Sequence, residues 1–193
     1  MTFSKQTGFT IVEMITVILI LVILAITVVP KYLDASEQAN DGVRDTLVRD
    51  FNSSVRNVRM KWIMDGSPSA TSNNNGAQVS LNDDTTVTID DNYGYPVGSN
   101  GRDRVNNLNL ADCESVFNDL VEHNLTTARR GQVNNTTYVN FDIVVTRQNS
   151  TPDICHYTWS ATIDSRPANS APSEGVGFSY NPQEGTVTAF NFG

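Results

Sequence analysis

An apolar stretch from Phe9 to Val29 carries a single charged side chain, Glu13. As a helix rising ~1.5 Å per residue it reaches roughly 30 Å, the thickness of a bilayer's hydrocarbon core. A charge inside such a segment costs at least ~2.5–3.5 kcal/mol unless a partner neutralises it. Glu13 is therefore a functional residue by default. Its nearest candidate partner is an α-amino group.

The residues ahead of the stretch sharpen this. An ordinary secretory signal has a basic n-region, a short apolar run and small residues at a cleavage site after that run. Here the basic residue Lys5 leads, but the small residue, Gly8, comes before the apolar run. Cleavage between Gly8 and Phe9 removes the basic leader and keeps the hydrophobic helix. The junction Gly8-Phe9-Thr10-Ile11-Val12-Glu13 resembles the class III leader junction of type IV prepilins. That resemblance, over about the first quarter of the chain, implies a prepilin peptidase that cuts after Gly8 and methylates the new N-terminal Phe9. Glu13 becomes the fifth mature residue. The plainer alternative is an uncleaved signal anchor with Glu13 at the membrane interface.

The length fits one ordinary domain plus an anchor. The formal net charge is −8, and no Lys/Arg cluster exists to neutralise phosphates, so nucleic acid is not an expected partner. Two cysteines, Cys113 and Cys155, lie in a region placed outside the cytoplasm. That sparse, even count favours one disulfide. It closes a loop of about 40 residues, for which loop-closure entropy gives ~4 kcal/mol. The competing reading, two metal ligands, lacks a CxxC pair or a clustered third ligand.

Beyond the span the helix continues. Pro30 should kink it, because proline removes a backbone donor and clashes with the preceding turn. Ala39, Val43, Leu47, Phe51, Val55, Val58 and Trp62 follow steps of three and four, one apolar stripe of an amphipathic helix and a candidate core face. Arg44, Asp45, Arg49, Asp50, Arg56 and Arg59 take much of the remaining surface. Asp65-Gly66-Ser67-Pro68 combines glycine and proline stop signals.

The rest reads as loops and short strands. Ser69 to Ala77 is a polar connection, and Thr86-Val87-Thr88-Ile89 alternates as a half-buried strand should. Cys113 to Asn124 carries a short helical pattern through Val116, Phe117, Leu120 and Val121. Tyr138 to Val145 and Cys155 to Thr162 are longer β-branched and aromatic runs. Phe178-Ser179-Tyr180 and Val187-Thr188-Ala189-Phe190 flank Asn181-Pro182-Gln183-Glu184-Gly185, a hairpin signal. The expected order is long helix, loop, short strand, short helix, then an antiparallel sheet packed on the helix. That is an α+β arrangement.

This extended pattern is similar to type IVa pilins, and within them to the mannose-sensitive haemagglutinin (MSHA) pilin group. The matching residues are Pro30-Lys31-Tyr32-Leu33, Asn92-Tyr93-Gly94-Tyr95-Pro96 and Asp112-Cys113, with Cys155-His156-Tyr157 and the closing hairpin. Many members of that family carry glycine where this chain has Val22, which bears on whether the helix loosens between Val22 and Pro30 in a filament. The resemblance implies a leader over 1–8, a transmembrane and filament-core half-helix over 9–29, an amphipathic half over 30–66 and a β-rich globular domain over 67–193. It implies a subunit held in the inner membrane with its globular part in the periplasm. An ATP-driven assembly machine then extracts it into a helical homopolymer, an extracellular fimbrium used in adhesion and surface attachment. Glu13 would pair with the Phe9 ammonium of a neighbouring subunit during docking.

Two other readings share parts of this logic: a type II secretion pseudopilin, and a membrane-anchored adhesin that never polymerises. An enzyme is not expected. His123 and His156 belong to no Ser/His/Asp or HExxH motif. Asp83-Asp84 and Asp90-Asp91-Asn92 could offer oxygens to calcium, but they lack the EF-hand pattern and read better as turns. No cofactor or metal is expected.

Overall fold

A computed structural model describes residues 8–70, 76–82, 85–98 and 104–192, and of residues 30, 33, 34, 36 and 37 the backbone alone. The chain divides into two compact units, Met1–Asp45 and Thr46–Gly193. One helix, α1 (Ile11–Met64), contributes to both. Helical backbone runs through Pro30, whose side chain lies outside the described residues, as do Lys5, most of the Ser69–Ala77 connection and Asp83-Asp84.

In the second unit α1 supplies the centre of the core. Leu47, Phe51, Val55 and Val58 are buried, and Trp62 packs against them half-buried. The stripe read from the sequence is longer than the buried one. Ala39 and Val43 are exposed, Val43 to 63%. Spacing of three and four marks a face, and only tertiary partners bury it. α1 then stops in a Schellman turn: Gly66 donates its N–H to the Ile63 carbonyl (3.1 Å) and Ser67 to Trp62 (2.9 Å). Gly66 takes φ +86°, a conformation side chains with a Cβ resist.

The described strands form two sheets. β1 (Ala77–Ser80), β2 (Thr86–Asp90) and β3 (Tyr95–Gly98) pair antiparallel in chain order. β2 departs from the half-buried reading. It is the central strand, and both of its faces are covered: Thr88 is buried alongside Val87 and Ile89. Then follow α2 (Leu110–Leu120) and β4 (Thr127–Arg129). β5 (Ile143–Gln148), β6 (Ile154–Trp159), β7 (Gly175–Asn181) and β8 (Thr186–Phe192) complete the second sheet, in the order β4-β5-β6-β7-β8. It is antiparallel except for β4, which pairs parallel with β5, so the expected purely antiparallel sheet is a mixed one. The run from Tyr138 to Val145 is not one strand. Tyr138–Asn140 turns as a 3-10 helix whose Tyr138 hydroxyl donates to the Ile163 carbonyl, and the strand begins at Ile143. The run from Cys155 likewise leaves the sheet at Ser160–Thr162. The closing hairpin matches its signal, with Asn181 opposite Thr186 and Gly185 at φ +66°.

Aromatic rings join these layers. Phe51 of α1 lies 5.2 to 6.0 Å, centroid to centroid, from Phe117, Tyr157, Phe178 and Tyr180. The two buried phenols keep polar partners: Tyr157 donates to the Cys113 carbonyl at 2.7 Å and Tyr180 to that of Pro96 at 2.8 Å. α2 is capped by Asn109, whose side chain accepts from the Ala111 and Asp112 N–H groups, while Asp112 accepts from the Asn109 N–H. Cys113 on α2 and Cys155 on β6 are joined in a disulfide with Cα atoms 5.5 Å apart. Replacing both by Ser should lower the unfolding free energy by about 2–5 kcal/mol, measured by denaturant titration against the oxidised wild type. A change under about 0.5 kcal/mol would show that the bridge adds nothing to this core.

Candidate functional site

The candidate site is the N-terminal stretch of the first unit. Gly8, Phe9 and Thr10 precede the helix and are exposed, Phe9 to 78%. Thr10 starts α1: its hydroxyl oxygen accepts the Glu13 N–H at 3.3 Å, and its carbonyl accepts the Met14 N–H at 3.2 Å. Sequence reading passed over this cap, although Thr-x-x-Glu is the spacing of a capping box. Glu13 thus sits in the first turn, where the helix dipole favours a negative charge. Among the described residues no hydrogen bond or ion pair engages its carboxylate.

The segment Ile11–Val29 is 19 residues long and apolar enough to cross a membrane. None of it is buried within the chain. Its hydroxyls are closed off locally. Thr16 donates to the Glu13 carbonyl (2.9 Å), and Thr27 to those of Ile23 and Leu24 (3.1 Å each). That is how a helix meets an apolar surrounding without stranding a donor. Glu13 is then the one side chain of the segment whose polarity is not absorbed by the helix itself.

Gly8 shares its surroundings with Gly42 and Gly131. A Cβ built on it would meet nothing within 4 Å, and its φ is not in the left-handed region. Neither space nor backbone conformation in this chain calls for glycine there.

The structure brings Gly8, Phe9 and Glu13 together at the start of α1. Cys113 and Cys155 belong to the second unit, as do the histidines. His156 lies on β6 with Nδ1 2.7 Å from the Ser179 hydroxyl, and burial lowers its pKa to about 4. The His123 ring lies 4.6 Å from that of Phe117, tilted by 33°, while its Nδ1 accepts the Leu125 N–H, and burial lowers its pKa too. Asp90 and Asp91 form a turn, and their oxygens are engaged by protein groups. Asp90 accepts N–H bonds from Asn92 and Val105 (3.0 Å each) and pairs with Arg104 (3.1 Å); Asp91 accepts from Ala70 and pairs with Arg104 as well.

Sequence reading passed over a second feature. The exposed side of α1 within 46–64 carries Arg49, Ser53, Arg56, Met60 and Ile63, again at steps of three and four. Attention to the apolar stripe hid it, although the same periodicity could have found it. Compared with known proteins, the chain matches no family model, no curated protein and no solved structure.

Proposed function

We propose that this chain is a type IV pilin, a structural subunit that polymerises into a surface filament serving adhesion and attachment. The observation that carries the proposal is the Glu13 carboxylate, without a partner among the described residues, in the first turn of the segment Ile11–Val29, none of which is buried within the chain. A lone membrane anchor has no use for that charge. A helix that leaves lipid for a bundle of like helices does, because the charge sets its docking partner. The resemblance of the leader junction supports the same reading, and that of the later segments supports the MSHA group within it.

Gly8 is compatible with the same reading. The fold makes no demand for glycine there, as it makes none at Gly42 or Gly131, and a peptidase that reads the junction would supply one. Cleavage after Gly8 creates an α-amino group on Phe9. In a filament core the Phe9 ammonium of one subunit and the Glu13 carboxylate of its neighbour neutralise each other in a low dielectric, where the attraction is far stronger than in water. Transfer from lipid to bundle costs the apolar side chains little. A heterologous contact of this kind repeats into an open helix. The inner membrane and its assembly machinery are the implied partners before polymerisation, and the disulfide suits a periplasmic and extracellular domain.

Intact mass should place the mature N-terminus at N-methylated Phe9. Gly8→Leu should leave essentially all of the protein at full length in the inner membrane. Wild type that keeps its leader, or is cut after Ala25, sinks the processing step. Imaging cells with the gene deleted and then restored tests the filament. Restored cells without surface filaments would leave the non-polymerising anchor.

A further inference from the structure

The reading above explains the first half of α1 and leaves the exposed side of its second half without a task. Between 46 and 64 the helix buries Leu47, Phe51, Val55 and Val58. At 3.6 residues per turn, Arg49, Ser53, Arg56, Met60 and Ile63 fall on the side opposite. Met60 and Ile63 are each 54% exposed, and the adjacent Met64 is 81% exposed. Single exposed apolar side chains are ordinary, but three on one helix stripe form a patch. The arginines are idle as well. Arg59 lies 4.3 Å over the Tyr95 ring and Lys61 pairs with Asp65, whereas Arg49 and Arg56 make no hydrogen bond or ion pair among the described residues. A solvated face would be expected to carry Lys and Glu in place of Met and Ile.

Charge indicates what covers it. Contrary to the expectation of no Lys/Arg cluster, the segment 46–64 holds Arg49, Arg56, Arg59 and Lys61 against Asp50 alone, while residues 65–193 hold more than twice as many carboxylates as basic side chains. A second copy of this chain therefore presents the acidic surface that the stripe lacks. One place on it also offers apolar contact. A cleft of about 980 Å³ opens between Leu81, Asn82 and Thr85, the C-terminal end of α2 and the loop into β4. Leu81 and Leu125, both partly exposed, line it over the buried Leu120, with Asp119 and Glu122, and among the described residues no Lys or Arg does. The last turn of α2 has no basic residue, so its negative dipole end is uncompensated.

We infer that the Arg49–Arg56–Met60–Ile63 face of one copy docks on this acidic cleft of the next, a second contact between subunits that rests on the self-assembly reading. Met60 and Ile63 meet the leucines; the guanidinium groups meet Glu122 and Asp119. Face and cleft are different patches, so the contact is heterologous and adds from subunit to subunit without closing.

The test is a charge swap in the full chain, read as sheared surface filaments with membrane-pool subunit and disulfide oxidation as folding controls. Arg49→Glu with Arg56→Glu should cut filament yield about tenfold at unchanged subunit level, and Glu122→Arg should do the same. Combining the three should recover at least a few-fold of the yield, because opposite charges face each other again. Met60→Ser with Ile63→Ser, which leaves charge alone, should also lower the yield. Normal filaments in both reversal variants, or no recovery in the combination, overturn the contact while leaving the filament reading intact. Wild type without filaments overturns both. Normal assembly of the Arg49→Glu, Arg56→Glu chain together with lost binding to vesicles of anionic lipid assigns the face to a membrane and overturns the proposal.

Discussion

Cells producing Glu13→Gln should hold processed subunit in the membrane at the wild-type level, with sheared surface filaments reduced to at most about a tenth. Two physical statements separate these outcomes. Removing the charge makes Ile11–Val29 more apolar, so insertion is not impaired. In the proposed filament, removing it would also strand the Phe9 ammonium of the neighbouring subunit in a dry bundle, and an uncompensated buried charge typically costs ~3–5 kcal/mol. Loss of that size at each of many repeated contacts is enough to stop polymerisation. Gln is the informative substitution, because it keeps the shape and the capability to accept hydrogen bonds while deleting the charge. It also leaves the Thr10 cap in place, since that bond uses the Glu13 backbone N–H. Membrane-fraction subunit and sheared filaments should be quantified in parallel. Undiminished filaments with Glu13→Gln would refute the pairing role.

Phe51→Ala should destabilise the second unit by about 3–5 kcal/mol, a large share of the ~5–15 kcal/mol that holds an ordinary domain together. Phe51 is fully buried and touches rings from α2, β6 and β7, so no single neighbour can move in to fill the space. Denaturant unfolding of the full chain in detergent, followed by tryptophan fluorescence, reads this unit cleanly. Both tryptophans, Trp62 and Trp159, lie within it. Val43→Ala is the matched control. It belongs to the same apolar stripe by spacing but is 63% exposed, and it should shift stability by less than about 0.5 kcal/mol. Equal costs at the two positions would mean that the core boundary at Leu47 is wrong.

The elements most legible in the sequence were those decided by local chemistry. The apolar run to Val29, the stop at Gly66 and the hairpin over Asn181–Gly185 stand where periodicity and turn residues put them, whereas the helix read over Cys113 to Asn124 runs Leu110–Leu120, begun earlier by its Asn109 cap and ended at Val121. The Gly8-Phe9 junction and Glu13 were legible for the same reason. Their meaning lies in order along the chain, and the structure adds that the fold itself does not need Gly8 to be glycine.

Elements that depend on partners were not legible. β1, β3 and β4 are three or four residues long, too short for alternation to register, and neighbouring strands hold them. Thr88 looked like the wet side of a strand, yet the fold buries it completely. Val43 looked like core because a stripe records spacing alone, whereas burial needs something to lie against. The sequence by itself determined the membrane-length helix, its one charge and the pairing candidates Cys113 and Cys155. Only the tertiary structure decided where α1 becomes core, that β4 joins its sheet in parallel, and that Arg49, Arg56, Met60 and Ile63 are left facing outward. Local propensity acts between residues a few positions apart, but burial is a property of which distant segments meet.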